Sequence, residues 1–524
     1  MVTTQFTEES PHFQASGPVA IGTEGPFKQK IVRFPPKTLA LARSHPLPLT
    51  LRLLPVISRI GQLIVSFRAA ELTPSACHQF ETQLHDTLRE LGRIIVEWTY
   101  NHLESEDRYQ MPSHLRFDGD WYRRRDKTPN RSVASLFGTI TLWRYLYQSI
   151  HGVERSIFPL EIRLGLAAGR ATPALADRVA HAAVDATQST VLADLKRDQG
   201  VAWSVETLRR VIATTWEGMT PHFQAAQAAR VLAWMEQAYA SKGSRKPVLA
   251  AGRDGVFVPI RGDDSYREAA TATLSVYDRK GLRLGTVYLG RMPEPGQGTL
   301  SEQLTGLITE VLSQWKGPLP RLAYVTDAGY HQTAYYEQVL KPMRHPSRPG
   351  ESLEWEWVID YFHASEYVHK LSRALFRDPR RAESWAWKMC RWLKRKPRAI
   401  YRILHSAAAI RSRRLVVGQS KAYREAYGYL QDHARHLDYM SYRGNHLPIG
   451  SGVTEAACKT VFSQRLKRSG MAWSVEGGQR IVDLRVIDLS GVWAEVHRSY
   501  LQSKRLPEER TEEGSGKRCS RKAA

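Results

Sequence analysis

The sequence predicts a mixed α+β chain of several domains. Three observations lead there. Residues 49–245 carry apolar side chains mostly at helical spacing, with one β-rich stretch near 131–148. From about residue 246 the pattern changes to alternating strands and helices. At about residue 361 that alternation gives way to an all-α basic block, and a further segment at 446–501 resumes the α/β part. The length of 524 residues suggests roughly two to four domains. An apolar content of 42% suffices for sizeable cores.

Composition excludes several classes. No apolar run approaches ~20 residues, so no membrane-spanning helix is expected. The first 35 residues lack the charged start and apolar core of a signal peptide. A cytoplasmic location, with no membrane partner, is the default. Cys77, Cys390, Cys458 and Cys519 are scattered without a CxxC pair, which argues against a disulfide framework or a zinc ribbon. Net charge is +23, with an isoelectric point near 9.9. Such a balance implies a polyanionic partner, and nucleic acid is the commonest. The charge is uneven: residues 361–470 hold 23 Lys and Arg against 7 Asp and Glu. That is +16 of the total, in a fifth of the chain.

Residues 1–48 read as a disordered N-terminal segment. In the next region Phe80, Leu84, Leu88, Leu91, Ile95 and Trp98 recur at spacings of three and four, one apolar helix face. Such a face packs on its own domain or seeds a dimer. Ser132–Tyr147 is rich in β-branched and aromatic residues around Gly138, so a strand pair or a bulged strand is expected. Thr172-Pro173 starts a helix. A second runs over about 189–198, Gly200 makes a turn, and Ser204 caps a third. Helix, Gly turn, helix is a candidate helix-turn-helix over 173–215, with Arg209 and Arg210 on its second helix. A plain helical bundle reads equally well.

Strands are expected at 247–259, 270–278, 283–290, 321–326 and 354–359. Helices are expected after 298 and over 331–341. Three strands, then helix–strand–helix–strand–helix, is the order of a ribonuclease H-like core. The 361–445 block reads as an insertion into it. Trp385, Trp387 and Trp392 fall there as core residues or as platforms for bases. Arg391, Lys394, Arg395 and Lys396 form its densest positive run. Lys459, Arg465, Lys467 and Arg468 continue the basic character beyond it. All are candidates for contacting DNA. Residues 502–524 read as a disordered tail.

Three acids carry the chemistry. Asp254 lies in the first strand, Asp327 closes the fourth, and Glu455 opens a later helix. Two divalent ions roughly 4 Å apart activate an oxygen nucleophile and stabilise a leaving oxygen in phosphoryl transfer. Hard cations such as Mg2+ or Mn2+ want carboxylate ligands. On this reading Asp254 bridges both ions, Asp327 holds one and Glu455 the other. Singly, each acid has an ordinary alternative as a turn, cap or first-turn residue. Their joint placement in this fold order points to catalysis. Asp360 and His363 follow the last strand and share one helix face, as auxiliary residues for phosphate or metal.

One stretch is more specific. Leu447-Pro-Ile-Gly-Ser-Gly-Val-Thr-Glu455-Ala-Ala-Cys-Lys459, continued by Gln464-Arg-Leu-Lys-Arg-Ser-Gly-Met-Ala-Trp-Ser474, resembles the C-terminal signature of bacterial insertion-sequence DDE transposases of the ISKra type. Val358-Ile-Asp-Tyr-Phe-His-Ala364 and Phe158-Pro-Leu-Glu-Ile-Arg-Leu-Gly-Leu166 look like the same family. The resemblance runs from about residue 130 to 495. It implies that Asp254, Asp327 and Glu455 are the DDE triad. It also implies that Asp360 and His363 match an Asp/Cys-x-x-His element. One departure stands: relatives often carry cysteine pairs before the Pro-Leu segment, and residues 147–153 have none.

The resemblance implies a transposase that binds the terminal inverted repeats of its element, cleaves the ends and joins them to target DNA. Handling two ends together implies a homodimer or a larger synaptic complex, associated with the nucleoid. Two alternatives stay open on the sequence. One is a DNA-binding regulator descended from a transposase. The other is a ribonuclease H-like DNA nuclease.

Overall fold

The computed structural model describes residues 48–509, except 153–154, 264 and 414–419. The expected disorder of residues 1–47 therefore falls outside the described part, as does Cys519. The chain divides into two units, residues 1–58 and 59–524. Of the first, the described part is the start of a helix, Leu49–Ala69. Among the described residues this helix is the one long and apolar enough to cross a membrane by length and composition alone. No such helix was expected, because no uninterrupted apolar run approaches ~20 residues; the helix continues through Arg52, Pro55 and Arg59.

The second unit is α+β. Its helix Pro74–Asn101 starts at Thr73, whose hydroxyl accepts from Ala76 N at 3.2 Å. The helix lies on an antiparallel sheet of β1 (His114–Phe117), β2 (Asp120–Ser135), β3 (Gly138–Ser149) and β4 (Ser156–Ile157). The β-rich stretch is thus a strand pair, with Gly138 at φ +118° opening β3. The inward face of the helix differs from the expected stripe. Val96 and Tyr100 pack on Val133, Ile140 and Leu142, whereas Leu88 and Ile95 stay exposed. Backbone demand explains the rotation: Thr141 N and Trp143 N on β3 need acceptors. Glu97 and Asn101 supply them at 3.0 and 2.7 Å. A short β12 (Glu508–Glu509) pairs with β1, so part of the expected disordered tail is ordered.

The three helices of the next block form where the caps and Gly200 place them: Pro173–Asp185, Gln188–Gln199 and Val205–Ala240. Gly200 takes φ +65°, the left-handed stop that glycine adopts without strain. The third helix is far longer than the candidate helix-turn-helix needs. Along it Leu208, Val211, Met219, Phe223, Val231 and Met235 are buried in the same core as the following sheet. The expected break near 245 therefore separates a helix and a strand that share one core.

That sheet has the order β11–β8–β5–β6–β7. β5 (Val248–Pro259), β6 (Tyr266–Tyr277) and β7 (Arg283–Arg291) run antiparallel. β8 (Arg321–Thr326) and β11 (Trp355–Ile359) run parallel to β5. Alternation along the strands sorts the layers. On one face Arg253 reaches Ser301 of the Gly298–Gln314 helix, and Trp234 of the long helix covers Gly285. On the other, Gly252 and Thr273 meet Thr454, and Gly290 meets Val461 and Val482. A small hairpin, β9 (Arg344–His345) with β10 (Arg348–Ser352), was not foreseen.

The basic block after β11 is helical: Tyr361–Leu375, Pro379–Arg395, Ala399–Arg413, Ser420–Asp432 and Tyr439–Gly444. Trp385 and Trp392 pack against the core, and Trp387 is 62% exposed. The block docks on the sheet through hydroxyls. Tyr429 donates to Asp327 O at 3.1 Å and Tyr439 to Ile359 O at 3.0 Å.

A β-carbon at Gly285 would lie 2.2 Å from the Trp234 ring. Gly285→Val should therefore overpack the seam between β7 and the long helix and cost about 1–3 kcal/mol. Chemical denaturation followed by tryptophan fluorescence measures it.

Candidate active site

Register places the first acids. Gly252 on β5 pairs with Val325 on β8, and Ile359 on β11 pairs with Thr326. Asp254 and Asp327 each lie two residues past the matched Gly252–Val325 pair. Asp360 lies one past the matched Ile359–Thr326 pair, level with Asp327. Asp327 and Asp360 thus stand just past the carboxyl ends of β8 and β11, and Asp254 lies within β5, two residues past its last pair with β8, where α/β sheets open a crevice. Asp254 accepts from Gly255 N at 2.8 Å and from the Cys458 thiol at 3.4 Å. Asp327 accepts from Gly329 N at 3.1 Å across a turn whose Ala328 has φ +65°. That left-handed backbone is costly for a residue with a β-carbon, and it holds the turn tight under the acid.

Glu455 comes from the other side. It sits in the short helix Gly452–Ala457, anchored by the Thr454 and Thr273 hydroxyls at 2.9 Å. The anchor exists because Gly252 has no side chain. A β-carbon there would stand 2.2 Å from Thr454 Oγ1. The Ser451 hydroxyl bonds to Asp360 Oδ2 at 2.9 Å and, more closely, to Glu455 Oε1. Asp360 is 1% exposed and caps the Tyr361–Leu375 helix by accepting from His363 N at 2.8 Å. It therefore acts on the loop that carries Glu455. The His363 ring packs edge-on against Tyr367 and Tyr429.

A cavity of about 270 Å³ is lined by Asp254, Asp327, Glu455, Asp360 and His363, together with Arg253, Phe362, Glu366 and Ser451. All five residues singled out from the sequence for catalytic or auxiliary roles meet there. Ser451, Cys458 and Gly252 were missed. The Gly-Ser-Gly run was quoted only as part of a signature, and only the fold shows which acids its serine joins.

Electrostatics show what the cavity lacks. Burial, with the charges of Asp327 and Glu455, pushes Asp254 up to about 6 against the bonds from Gly255 and Cys458. Burial first, then Asp254, holds the Cys458 thiol protonated far above its usual range. Arg253 brings no relief at Asp254, because its guanidinium turns to Ser301, Gln297 and the Tyr335 ring. Among the described residues no three His, Cys, Asp or Glu side chains converge into a ready metal cage. Glu455 is held aside by Ser451. The donor set nonetheless fits hard divalent cations: five carboxylates, Asp254, Asp327, Asp360, Glu366 and Glu455, line the cavity, and Asp254 is short of positive charge.

The basic candidates lie in two places. Arg391, Arg395 and Lys396 are exposed on the insertion, and Lys394 stacks over Tyr361 next to the cavity rim. Lys459, Lys467 and Arg468 are exposed around the Glu455 segment. Arg209 and Arg210 are exposed, with Arg210 paired to Glu206 at 2.9 Å. Arg465 differs from a surface contact: it is 1% exposed and donates to Ala183 O.

No protein-family model and no curated protein matches the chain. The reading of the site rests on its geometry and on the resemblance of its motifs.

Two outcomes test the site. Gly252→Ala should displace the Glu455 helix and weaken Mn2+ binding by about 10–100-fold, as should Glu455→Gln; electron paramagnetic resonance of free Mn2+ reads it. The second concerns charge. Asp254 is raised on folding, so the folded chain keeps its proton to about pH 6 and the unfolded chain loses it near 4. Its ionisation costs stability as pH rises from about 4 through 6. Asp254→Asn should raise the melting temperature of the metal-free protein at pH 7.5 and not at pH 4.

Proposed function

We propose that the chain is a DNA transposase. It binds the terminal inverted repeats of an insertion sequence, cleaves the ends and transfers the strands to target DNA. The observation that carries this reading is the level placement of Asp254 and Asp327 on neighbouring parallel strands, with Glu455 brought into the same cavity by a helix from the far side of a basic insertion. The sheet supports it too: three antiparallel strands, then two parallel to the first, in the order of a ribonuclease H-like core. The net charge of +23 suits a DNA partner.

Two Mg2+ or Mn2+ ions at this site would supply an activated oxygen nucleophile and a stabilised leaving oxygen. Asp254, Asp327 and Glu455 would hold them. The chain's own residues then account for the geometry. Cys458 and Gly255 fix the Asp254 carboxylate, and the 327–329 turn fixes Asp327. Asp360, through Ser451, sets where the Glu455 helix begins. His363 and Phe362 stand on the rim of the same cavity, where a scissile phosphate would enter. The partners on this reading are duplex DNA, as element ends and target, and a second copy of the chain in a synaptic complex. The location is the nucleoid.

Asp254→Asn, Asp327→Asn and Glu455→Gln should each lower Mg2+-dependent nicking and joining by roughly a thousandfold or more. End binding should stay within a few-fold by gel shift. Nicking without joining of a pre-cleaved end would favour a nuclease, and binding without nicking by the native chain would favour a regulator. Strong cleavage by Asp254→Asn protein would overturn the assignment of the triad.

A further inference from the structure

A second cavity, of about 660 Å³, opens where the Gln188–Gln199 and Val205–Ala240 helices meet the segment that follows Glu455. Three helices begin on its rim, at Gln188, Val205 and Val475. Thr187, Ser204 and Ser474 each cap one N–H group of their helix. The positive ends of these helix dipoles add to the charge near the rim.

Four guanidinium groups join them: Arg209, Arg261, Arg465 and Arg480. Glu476 pairs with Arg480. Arg209 reaches only the neutral Gln188 side chain, at 3.2 Å. Among the described residues neither Arg209, Arg261 nor Arg465 has a carboxylate at ion-pair distance. Arg465 forms the floor, 1% exposed under the Trp473 ring at 5.0 Å. Burial first, then the like charges of Arg468 and Arg485, pull its pKa down to about 10. Arg261 is set in place by the backbone: its N–H donates to Trp473 O at 2.8 Å. It lies seven residues beyond Asp254 along β5 and its extension, roughly 23 Å of extended chain. This is a different place from the triad cavity.

We propose that this groove grips the sugar-phosphate backbone of duplex DNA, as a second contact on the substrate cut at the triad. The inference rests on the reading of the chain as a DNA-cutting enzyme and assigns it a particular gripping surface. The groove's one tryptophan has its ring occupied by Arg465, so no open ring is offered for base stacking, which single strands would want. What the groove offers is fixed positive charge and N–H donors, which suit phosphates of any sequence.

The test is a salt titration of duplex binding by fluorescence anisotropy, with native protein, Arg209→Glu/Arg261→Glu, the milder Arg209→Gln/Arg261→Gln, and Asp254→Asn. Both doubles alter exposed residues, and a thermal melt checks their folding. The charge reversal should lower affinity by at least about tenfold and reduce the slope of log affinity against log salt by about 2, whatever the DNA sequence. The Gln double should move both in the same direction by less. Asp254→Asn should keep the native slope. An unchanged slope in both folded doubles overturns the proposal, as does preference for single-stranded RNA over duplex DNA. Duplex binding with the expected loss of slope, but no nicking by the native chain, would leave the groove standing and remove the catalytic reading. Nicking by the native chain with no change of slope in the doubles would remove the groove alone.

Discussion

The in-register parallel pairing of β5, β8 and β11 is the constraint on which the rest of the structure depends. Backbone hydrogen bonds set which residues stand level, and three of those just past the parallel pairing are aspartates. Like charges held together away from bulk water are unfavourable unless something positive joins them. The raised Asp254 is the local measure of that cost. A sheet optimised for stability alone would have no reason to gather three aspartates where its parallel pairing stops.

The fourth acid has to be delivered across the chain, and the packing behind the sheet makes the delivery repeatable. Arg485 is 4% exposed on the Val475–Leu489 helix. It ties Thr460 O, Val184 O and Asp185 into one knot. Buried Gln227 of the long helix holds Tyr288 O at 2.8 Å and Ser490 at 3.1 Å. Segments more than two hundred residues apart thus share buried polar contacts, which cost more to break than surface ones. The helical region before the sheet is part of its scaffold. It can be cut away only by opening a common core.

Legibility followed the kind of information each element needs. Strands β5, β7, β8 and β11 were readable within about one residue, because buried strands announce themselves as short apolar runs between turns. Caps at Ser204 and the stop at Gly200 were readable because they are local chemistry. Asp327 was readable because it closes such a strand, and Asp254 because it is the one acid inside another. Glu455 could not be placed by spacing alone, since its position depends on a turn and a helix that lie beyond a long insertion. The roles of Gly252, Ser451 and Cys458 needed contacts across 202, 91 and 204 residues. The misjudged face of the Pro74–Asn101 helix has the same origin. Its apolar stripe was visible, but the unpaired strand backbone that claims its polar face was not.

A hydroxyl carries one proton. Ser451 touches two carboxylates, Asp360 and Glu455, and can donate to only one at a time. Any cation that draws Glu455 into the cavity leaves that proton wholly to Asp360, the cap of the insertion's first helix. The filled and empty forms of the site should therefore differ in how firmly the insertion is clamped to the sheet. Through one serine, the occupancy of the cavity and the stiffness of the helical block that follows β11 become a single variable.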